Sequence, residues 1–395
     1  MRIVFLCTSS LDYPAPHGRA LPLAHELVRL GHEPHLLMLH PTYDRLSAQE
    51  RAPFRVGSVR AHYVGQMHVY GMPGARRSLR SSELLRISLQ GMLALGQAAL
   101  RLRPDLVVAA KPQPINGPAA LLAARMTGAQ LHVDCDDYEA GANRFSSGWQ
   151  RSLVAQVEDS LPQHAQLVIT NTHTTEQRLL GLGVPAERLR YLPNGISAAQ
   201  RQQPDAQRLQ ALRQALGLEN TAILVYIGAV STVAHGLGLL LDAFALTIRS
   251  IPTARLLIVG DGDDRPELMR KAHGLGLDKA ILWTGYLPAE AARSYLALAD
   301  ASVDPVFDTP AMAGRSPLKI VESMGQAVPV ITGDVGDRRE TLAGSGIIVP
   351  PGDAAALSHA ITTLLSDPSL REVLSQVSYA RSEDFLWWKL IAVWL

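Results

Sequence analysis

Cysteine is scarce in this chain, which carries only Cys7 and Cys135 among its 395 residues. Two thiols, both in apolar and strand-like segments, are too few for a disulfide framework or a cysteine-rich metal site, and they fit a reducing cytoplasm. Net charge is also small, because 37 lysines and arginines balance 36 acidic residues and leave a formal charge of +1. Without a strong positive field, we expect no nucleic-acid partner.

Long apolar runs are missing as well. No segment approaches the ~20 apolar residues that a membrane-spanning helix needs. The apolar start over residues 1–7 is too short for a signal peptide, and it predicts a first strand. With 395 residues, of which 47% are hydrophobic, the chain is long enough for two domains with a core each.

Short apolar segments alternate twice over with helical patterns, which predicts an α/β fold of two doubly wound, parallel-sheet domains. The predicted strands are Ile3–Cys7, Leu36–Leu39, Leu106–Ala110, Leu131–Val133 and Leu167–Thr170 in the first half, and Ile223–Ile227, Leu256–Val259, Ile281–Trp283, Val328–Ile331 and Ile347–Val349 in the second.

The domain boundary is predicted just after Ile196, because the polar, glutamine-rich stretch Ser197–Gln214 is typical of a linker. We therefore assign residues 1–196 to the first domain and residues 197–379 to the second. The apolar residues 380–395 would be a liability in solvent. We expect them to pack as a helix that completes the first domain, and a peripheral membrane contact is the alternative.

Residues 315–331 form the most informative segment, since they predict a short helix that leads directly into a buried strand. Ser316 is a good N-cap, Pro317 suits the first helical position, and Gly325 can end the helix. The β-branched residues that follow, at 328–331, predict the strand.

Three ionisable residues of that segment, Arg315, Lys319 and Glu322, are spaced at i, i+4 and i+7, along one side of a helix. Both cations would stand at the helix start, where free N–H groups favour an anion, and the carboxylate about one turn, roughly 5 Å, further in. A diphosphate followed by ribose hydroxyls matches this order, so the segment predicts a nucleotide-sugar site. An ordinary solvated helix is the alternative.

Five sequence blocks extend the pattern: Tyr191–Ile196, Leu256–Asp263, Thr284–Pro288, Glu322–Ile331 and Gly346–Asp353. In order and spacing they resemble the retaining GT-B glycosyltransferases of glycosyltransferase family 4. The likeness is specific from about Tyr191 to Leu365 and looser in the first half. It implies two Rossmann-like domains that face a deep cleft, and metal-independent transfer of a sugar from a nucleotide donor with retention of configuration.

The resemblance also implies roles for individual residues. Glu322 would accept hydrogen bonds from the ribose, while Arg315, Lys319 and the backbone near Ser316 would hold the diphosphate. The remaining donor-binding positions would be Gly18, beside His17, in the first domain and Gly228, His235, Gly260, Gly262, Tyr286 and Leu287 in the second. The glycines of the 260–262 turn would let the backbone approach the donor closely, and the 286–287 segment would lie near the base.

The sequence departs from the family at the donor site. Gly314 stands where the family has the first Glu of its E-x7-E motif, so the identity of the donor sugar cannot be predicted from the sequence. The segments Gly228–Ser231 and Ala234–Gly236 lack the Arg and Lys that the family often has there, and a neutral His235 is a poor replacement. We expect Arg315 and Lys319 to take over the diphosphate, and weak or lost donor binding is the alternative.

Two loops that follow predicted strands carry further candidates. Lys111 follows Leu106–Ala110, where ligands meet open α/β sheets and where relatives often have a sugar-contacting His, although a rigid Pro-rich turn is the alternative. Asp134 and Asp136 form an Asp-x-Asp pair that could bind Mg²⁺ or Mn²⁺. We expect instead a loop that lines the acceptor cleft.

Arginines and leucines are interleaved over Ala75–Leu102, where Arg76, Arg77, Arg80 and Arg86 stand among Leu84, Leu85, Ile87 and Leu89. A basic amphipathic helix of this kind can lie on an anionic membrane, which would suit a lipid-linked acceptor. A solvated arginine face over an ordinary core is the alternative.

Three functions are compatible with these features. The first is a cytoplasmic glycosyltransferase, with possible attachment to the inner face of the membrane, that moves a hexose-type sugar from a UDP- or GDP-sugar to a glycan, lipid-linked or small-molecule acceptor. The second is a non-catalytic nucleotide-sugar binder, which Gly314 favours. The third is a nucleotide-sugar epimerase, for which no set of acid–base residues can be identified.

Overall fold

The computed structural model of the protein describes residues 1–71, 79–145, 147–232 and 235–394. The chain divides into two compact units. The first comprises Met1–Gly195, Gly314–Ser316 and Trp387–Leu395, and the second comprises Ile196–Ala313 and Pro317–Leu386. The chain thus leaves the first unit after Gly195, returns to it briefly at Gly314–Ser316, and returns finally at Trp387. The sequence places the first and last of these transitions at 196 and 380.

Eight strands form the sheet of the first unit in the described part of the chain. They are β1 Arg2–Cys7, β2 Glu33–His40, β3 Phe54–Val56, β4 Val59–Gln66, β5 Leu106–Ala110, β6 Gln130–Cys135, β7 Leu167–Thr170 and β8 Leu189–Tyr191. Their order is β3-β4-β2-β1-β5-β6-β7-β8, parallel throughout except that β3 runs antiparallel to β4. The order reverses between β1 and β5, so the loops that follow these two strands meet at the carboxyl edge of the sheet.

Helices cover both faces of this sheet, which explains why its central strands are almost continuously apolar. They are α1 Pro14–Gly18, α2 Ala20–Arg29, α3 Ser81–Leu102, α4 Asn116–Thr127, α5 Glu139–Ala142, α6 Gly148–Ser160 and α7 His173–Gly181, with 3-10 turns at Tyr43–Arg45, Leu161–His164 and Ala186–Arg188. Side chains of α3 and α4 pack on one face, and those of α2 pack on the other.

The apolar C-terminal residues lie on the same face as α2. Trp387, Ile391 and Trp394 are buried in the core that β1 and β2 form with α2, and the rings of Trp394 and Phe5 are 5.9 Å apart. The tail is therefore an integral part of the first unit's hydrophobic core.

The second unit has a parallel sheet, whose strands within the described residues are β9 Ile223–Ile227, β10 Arg255–Val259, β11 Ile281–Gly285, β12 Ala301–Asp304, β13 Val330–Gly333 and β14 Gly346–Val349. Their order is β11-β10-β9-β12-β13-β14. The chain order reverses between β9 and β12, which makes the carboxyl ends of these two strands the expected ligand-binding edge.

The helices that follow the first unit are α8 Ala198–Arg201, α9 Ala206–Ala215, α10 Leu237–Ser250, α11 Arg265–Gly274, α12 Ala289–Ala297, α13 Pro310–Ala313, α14 Leu318–Gly325, α15 Arg338–Leu342, α16 Ala354–Ser366, α17 Pro368–Arg381 and, in the tail, α18 Trp387–Leu390, with 3-10 turns at Ser382–Phe385 and Ile391–Val393. None of the helices in the described ranges combines the length and the apolar character that crossing a bilayer requires.

The predicted α/β class with two parallel sheets is confirmed, and so are the positions of the predicted strands, with one shift. The strand predicted at Val328–Ile331 begins at Val330, because Ala327 adopts a positive φ and Pro329 has no N–H to donate. The predicted linker Ser197–Gln214 is wrong. It contains α8 and α9, whose first turns are capped by the side chains of Ser197 and Asp205.

Candidate functional site

A buried lysine occupies the switch point of the second unit. Lys319 lies in the first turn of α14, only 8% of its side chain is exposed, and its ammonium group lies 3.3 Å from the Asp304 carboxylate. It also lies 3.3 Å from Nδ1 of His235 and 4.3 Å from the centre of the Tyr226 ring. The amine is therefore held between the carboxyl ends of β9 and β12.

Asp304 is the organising carboxylate of this cluster, and sequence reasoning missed it. It ends β12 and is almost fully buried, with one oxygen facing Lys319 and the other accepting a 2.8 Å hydrogen bond from Nε of Arg338. Of these three ionised groups, two are positive. The arrangement therefore favours an anion nearby, as the cations of a diphosphate site do. The sequence signal that could have identified Asp304 is its place as a carboxylate at the end of the four-residue strand β12.

Gly228 directly follows β9 and lies beside the same amine. Its φ is +138°, and a Cβ placed there would lie 3.3 Å from Cε and 3.5 Å from Nζ of Lys319. Glycine thus meets the backbone requirement and leaves room for the lysine. The family's cations are absent from 228–236, and Lys319 brings a positive charge to that loop from a different element. Ala234 lies outside the described residues.

The helix that carries Lys319 starts later than predicted. It begins at Leu318 with Pro317 as the N-cap, and the Oγ of Ser316 accepts the backbone N–H of Asn194 at 3.1 Å instead of capping the helix. Arg315 therefore lies outside the helix, and the predicted alignment of Arg315, Lys319 and Glu322 along one side is wrong. Lys319 and Glu322 remain on the helix, three residues apart.

Arg315 belongs to the first unit, within Gly314–Ser316. Its Nε lies 3.8 Å from Oδ1 of Asp137, and about a fifth of each side chain is exposed. The guanidinium therefore already has a carboxylate neighbour, whereas the sequence suggested a group reserved for the diphosphate.

Glu322 is partly buried in the second unit, where Nε2 of Gln200 donates a 3.3 Å hydrogen bond to its Oε1. Burial raises the pKa of Glu322 to about 7, although Arg293, Gln200 and Lys319 act in the opposite direction. Near neutral pH the carboxyl group is therefore divided between its two protonation states. Only the ionised form is purely an acceptor, because protonation turns one oxygen into a hydrogen-bond donor.

The two glycines after β10 serve the packing of the protein itself. A Cβ on Gly260 would lie 1.9 Å from the carbonyl oxygen of Gly228, and one on Gly262 would lie 2.2 Å from that of Val230. The amides of Gly228 and Val230 in turn donate to the carbonyls of Val259 and Asp261. The resemblance implies that these glycines let the backbone approach the donor closely. In the structure, they let it approach the loop after β9.

The remaining predicted donor positions of the second unit differ in access. His235 is buried beside Lys319, whose amine lies 3.3 Å from its Nδ1. Tyr286 follows β11 and is 59% exposed, which leaves its ring open to a flat group. Leu287 is partly buried and packs against the apolar cluster that contains residues of β9 and β10.

A buried ion pair organises the first unit at the carboxyl ends of its strands. Gly18 is the last residue of α1, and Arg19 then turns inward to bind both oxygens of Asp134 at 2.8–2.9 Å. Its Nη1 donates to Oδ1 of Asn194 at 3.0 Å, and Asn194 donates to the carbonyl of Ser316. Sequence reasoning missed Arg19, which the chain separates from Asp134 by 115 positions.

Lys111 follows β5 with a φ of +55°, a conformation that costs a non-glycine residue energy and is often found at functional sites. Its amine lies 3.0 Å from Asp136, 2.9 Å from Asp137 and 3.4 Å from Glu139. Burial alone would lower the pKa of Lys111, but these carboxylates outweigh it and hold the pKa well above its usual range. Lys111 is therefore a permanent cation.

The acidic residues at the end of β6 and in the loop after it are already paired with cations. Asp134 binds Arg19, Asp136 binds Lys111, and Asp137 lies between Lys111 and Arg315. Among the residues that the structure describes, no group of three or more His, Cys, Asp or Glu side chains is placed to hold a metal ion. The loop is therefore a platform of paired charges at the carboxyl edge of the sheet.

Two family profiles match the chain. One, described as "Glycosyl transferases group 1", matches residues 221–367, and the other, described as "Glycosyl transferase 4-like domain", matches residues 16–195. The first match contains Lys319 and Glu322, and the second contains Gly18 and Lys111.

Two relatives extend the similarity. The chain is 31% identical over 324 residues to the 2-deoxystreptamine N-acetyl-D-glucosaminyltransferase of Streptomyces fradiae, a match that covers 75% of this chain and 74% of the relative. It is 28% identical over 265 residues to a GDP-mannose-dependent alpha-(1-6)-phosphatidylinositol monomannoside mannosyltransferase of Mycolicibacterium smegmatis, which covers 66% of each.

Among solved structures, the fold is similar to that of HepE from Anabaena, crystallised with UDP and glucose. The TM-score is 0.73 at 19% identity, over 100% of this chain and 97% of HepE. At this identity the likeness bears on the fold, and it confirms the predicted α/β fold class of GT-B type.

Proposed function

The chain belongs to the group 1 glycosyltransferases of glycosyltransferase family 4, and from that premise we propose that it moves a hexose-type sugar from a UDP- or GDP-sugar to an acceptor. The acceptor is a glycan, a lipid-linked sugar or a small molecule. Transfer proceeds with retention of configuration and without a metal ion. The buried free thiols of Cys7 and Cys135 are compatible with a cytoplasmic location.

The observation that supports this proposal most directly is the place of the Lys319 amine. It lies at the switch point of the second unit, beside Gly228 and in contact with Asp304, where ligands bind in folds of this type. A cation there, at the start of α14, is what a diphosphate needs. Lys319 thereby compensates for the arginine and lysine that are absent from 228–236.

The proposed mechanism follows from where charge develops. As the bond between sugar and phosphate breaks, the diphosphate gains negative charge and the sugar becomes oxocarbenium-like. A fixed ammonium group and the N–H groups of α14 stabilise that charge more in the transition state than in the bound donor. The acceptor hydroxyl attacks from the same face and passes its proton to the departing phosphate oxygen.

The other residues have supporting roles in this proposal. Glu322 accepts hydrogen bonds from the ribose hydroxyls, and Tyr286 offers an open ring near the base. In the first unit, Lys111 holds Asp136 and Asp137 in place, and Arg315 stands at the edge of this platform. Lys111 therefore acts by positioning its carboxylate neighbours.

A non-catalytic nucleotide-sugar binder is the second candidate. Gly314 removes the family's first carboxylate from the sugar site, and the charge of Lys319 is partly balanced by Asp304. An epimerase has less support, because it needs an acid–base pair that neither the sequence nor the described residues identify.

A panel of UDP-, GDP- and ADP-sugars, incubated with and without acceptor extracts, tests the proposal through the nucleotide released. We expect release from one donor class, stimulated by acceptor and unchanged by EDTA, and an NMR spectrum of the product that shows the donor's anomeric configuration. Binding without release would support the non-catalytic candidate. Loss of release in EDTA would contradict metal independence.

Donor affinity is expected to fall on acidification, because burial raises the pKa of Glu322 to about 7. Between pH 8 and pH 6 the carboxylate takes up a proton and loses acceptor capacity towards the ribose. Calorimetry should show several-fold weaker binding of the selected nucleoside diphosphate at pH 6. Glu322→Gln should bind weakly at both values, with a flatter profile.

A stability measurement provides the control for this titration. The folded pKa of Glu322 lies above the ordinary 4.5, so its contribution to stability falls as pH rises from about 4.5 to about 7. Relative to wild type, the melting temperature of Glu322→Gln should therefore be higher at pH 8 than at pH 5. A pH profile of binding that is the same in both proteins would exclude Glu322 as its source.

A further inference from the structure

Helix α3 carries apolar side chains on the side that faces away from the core. Ile87, Gly91 and Leu95 are buried against the sheet, whereas Leu85, Leu89 and Leu93 are 52%, 49% and 56% exposed. Each exposed leucine stands two positions before a buried residue, about 200° around the helix. These three leucines, here called the leucine stripe, form a continuous apolar line on the outer surface.

The stripe lies at the same end of the first unit as the substrate loops. A Cβ on Gly91 would touch Ile115, just before α4, and one on Gly96 would approach Ala119, in its first turn. The part of α3 before Gly91 therefore extends beyond the start of α4, towards the carboxyl ends of the strands. Leu85 and Leu89 belong to that projecting part.

A cavity of about 620 Å³ adjoins the helix. From α3 it is lined by Glu83, Arg86 and Gln90, and from the loops after β2 and β4 by Tyr43, Asp44, Arg45 and Tyr70. The Tyr70 hydroxyl donates to Asp44 at 3.0 Å, and the Arg45 guanidinium lies 5.5 Å from the centre of the Tyr70 ring. Aromatic rings with charged hydrogen-bonding groups suit a polyhydroxylated head group.

Positive charge borders the stripe. Arg86 is exposed on the helix flank between the leucines and the cavity, and Arg80 is exposed at the N-cap of α3. Glu83 is the single acidic residue of Ser81–Leu102. The basic residues Arg76 and Arg77 of the predicted amphipathic segment lie outside the described residues. An apolar line bordered by arginines is complementary to an anionic bilayer, in which leucines enter the acyl boundary and arginines meet head groups.

We propose that the leucine stripe docks the protein on an anionic membrane surface, so that the cavity beside α3 receives the polar head of a lipid acceptor. This inference rests on the proposed glycosyltransferase function and names its acceptor class. Of the three acceptor classes open above, it selects the lipid-linked one. The alternation of burial along α3 decides which residues form the membrane face. Ile87 belongs to the core, whereas Leu85, Leu89 and Leu93 face outward.

Co-sedimentation with vesicles tests the docking surface without any assay of transfer. The wild type should bind phosphatidylcholine vesicles that contain phosphatidylglycerol, bind pure phosphatidylcholine weakly, and lose affinity in high salt. The variant Leu85→Ser/Leu89→Ser/Leu93→Ser should bind at least about tenfold more weakly, because three apolar side chains no longer enter the bilayer. A matched control is Val373→Ser/Val377→Ser on α17, where the two valines are also exposed, at 57% and 44%.

Three outcomes would overturn the inference: no binding by the wild type, equal binding by the stripe variant, or an equal loss in the α17 control. Analytical ultracentrifugation tests for a fourth outcome that would also overturn the inference, a dimer formed through the leucine stripe. A wild-type dimer that the stripe substitutions dissociate would assign the leucines to contact with a second copy of the chain.

A transfer assay separates failure of this inference from failure of the proposed function. With vesicles of total lipid extract as acceptor, the stripe variant should show a several-fold higher KM, while its slow release of nucleotide to water stays at the wild-type rate. If the wild type and the stripe variant release nucleotide at the same rate in the presence of vesicles, the docking inference is contradicted and the glycosyltransferase proposal stands. No release by either protein would contradict the proposed function alone.

Discussion

Replacing Lys319 by alanine is expected to lower turnover by ~10²–10³-fold, the range found when one fixed donor to a developing negative charge is removed. The amine lies at the switch point between β9 and β12, beside Gly228. It is the cation best placed in the second unit to meet a leaving diphosphate. Steady-state measurement of nucleotide release with the selected donor provides the test, and kcat should fall more than the affinity for the donor.

Loss of folding is not expected to confuse this measurement. When Lys319 is removed, the buried carboxylate of Asp304 keeps the 2.8 Å hydrogen bond from Arg338, so it is not left without a partner. A matched control is Lys271→Ala, which removes an exposed lysine of the same unit whose partner is Asp242. If Lys319→Ala has the wild-type melting temperature and the wild-type rate, Lys319 has no part in catalysis.

Gly260→Ala is expected to prevent the second unit from folding normally, with a loss of more than about 4 kcal/mol in the free energy of unfolding. The new Cβ would lie 1.9 Å from the Gly228 carbonyl oxygen, and the φ of +139° is unfavourable for alanine. Because the obstacle is backbone, no side chain can turn away to relieve the clash. Chemical denaturation, or the yield of soluble protein where none can be purified, measures the effect.

The control for this prediction is Gly274→Ala in the same unit. A Cβ there meets nothing within 4 Å, and Gly274 ends helix α11 without a positive φ. Alanine should therefore be neutral or stabilise by up to about 1 kcal/mol. Equal stability of the two variants would show that the loops after β9 and β10 can separate without cost.

Much of the fold could be predicted because its strands are buried on both faces and read as short apolar runs. β5, β7 and β9 have the predicted bounds for this reason. The strands that sequence reasoning missed, β3, β4, β8 and β12, are exposed in part or contain few apolar residues. β12, Ala301–Asp304, takes its burial from its central place in the sheet, which no local pattern reveals.

The site was predictable where its chemistry is local and unpredictable where it depends on distant partners. Lys319 and Glu322 stand three residues apart on one helix, so their spacing carried information. The contacts of Lys319 with His235 and Asp304 join different elements, and only the strand order brings them together. Ser316 shows the same limit, since its hydroxyl is engaged by Asn194, 122 positions earlier.

The way the tail packs has a consequence for how the protein is made on the ribosome. Trp387, Ile391 and Trp394 fill the core beside β1 and β2, yet they are translated after the entire second unit. Until the tail has been synthesised, the first unit cannot complete its core and leaves an apolar face exposed, whereas the second unit can already reach its native state. The half of the chain that emerges first is expected to be the last to mature, and to need chaperone protection in the interval.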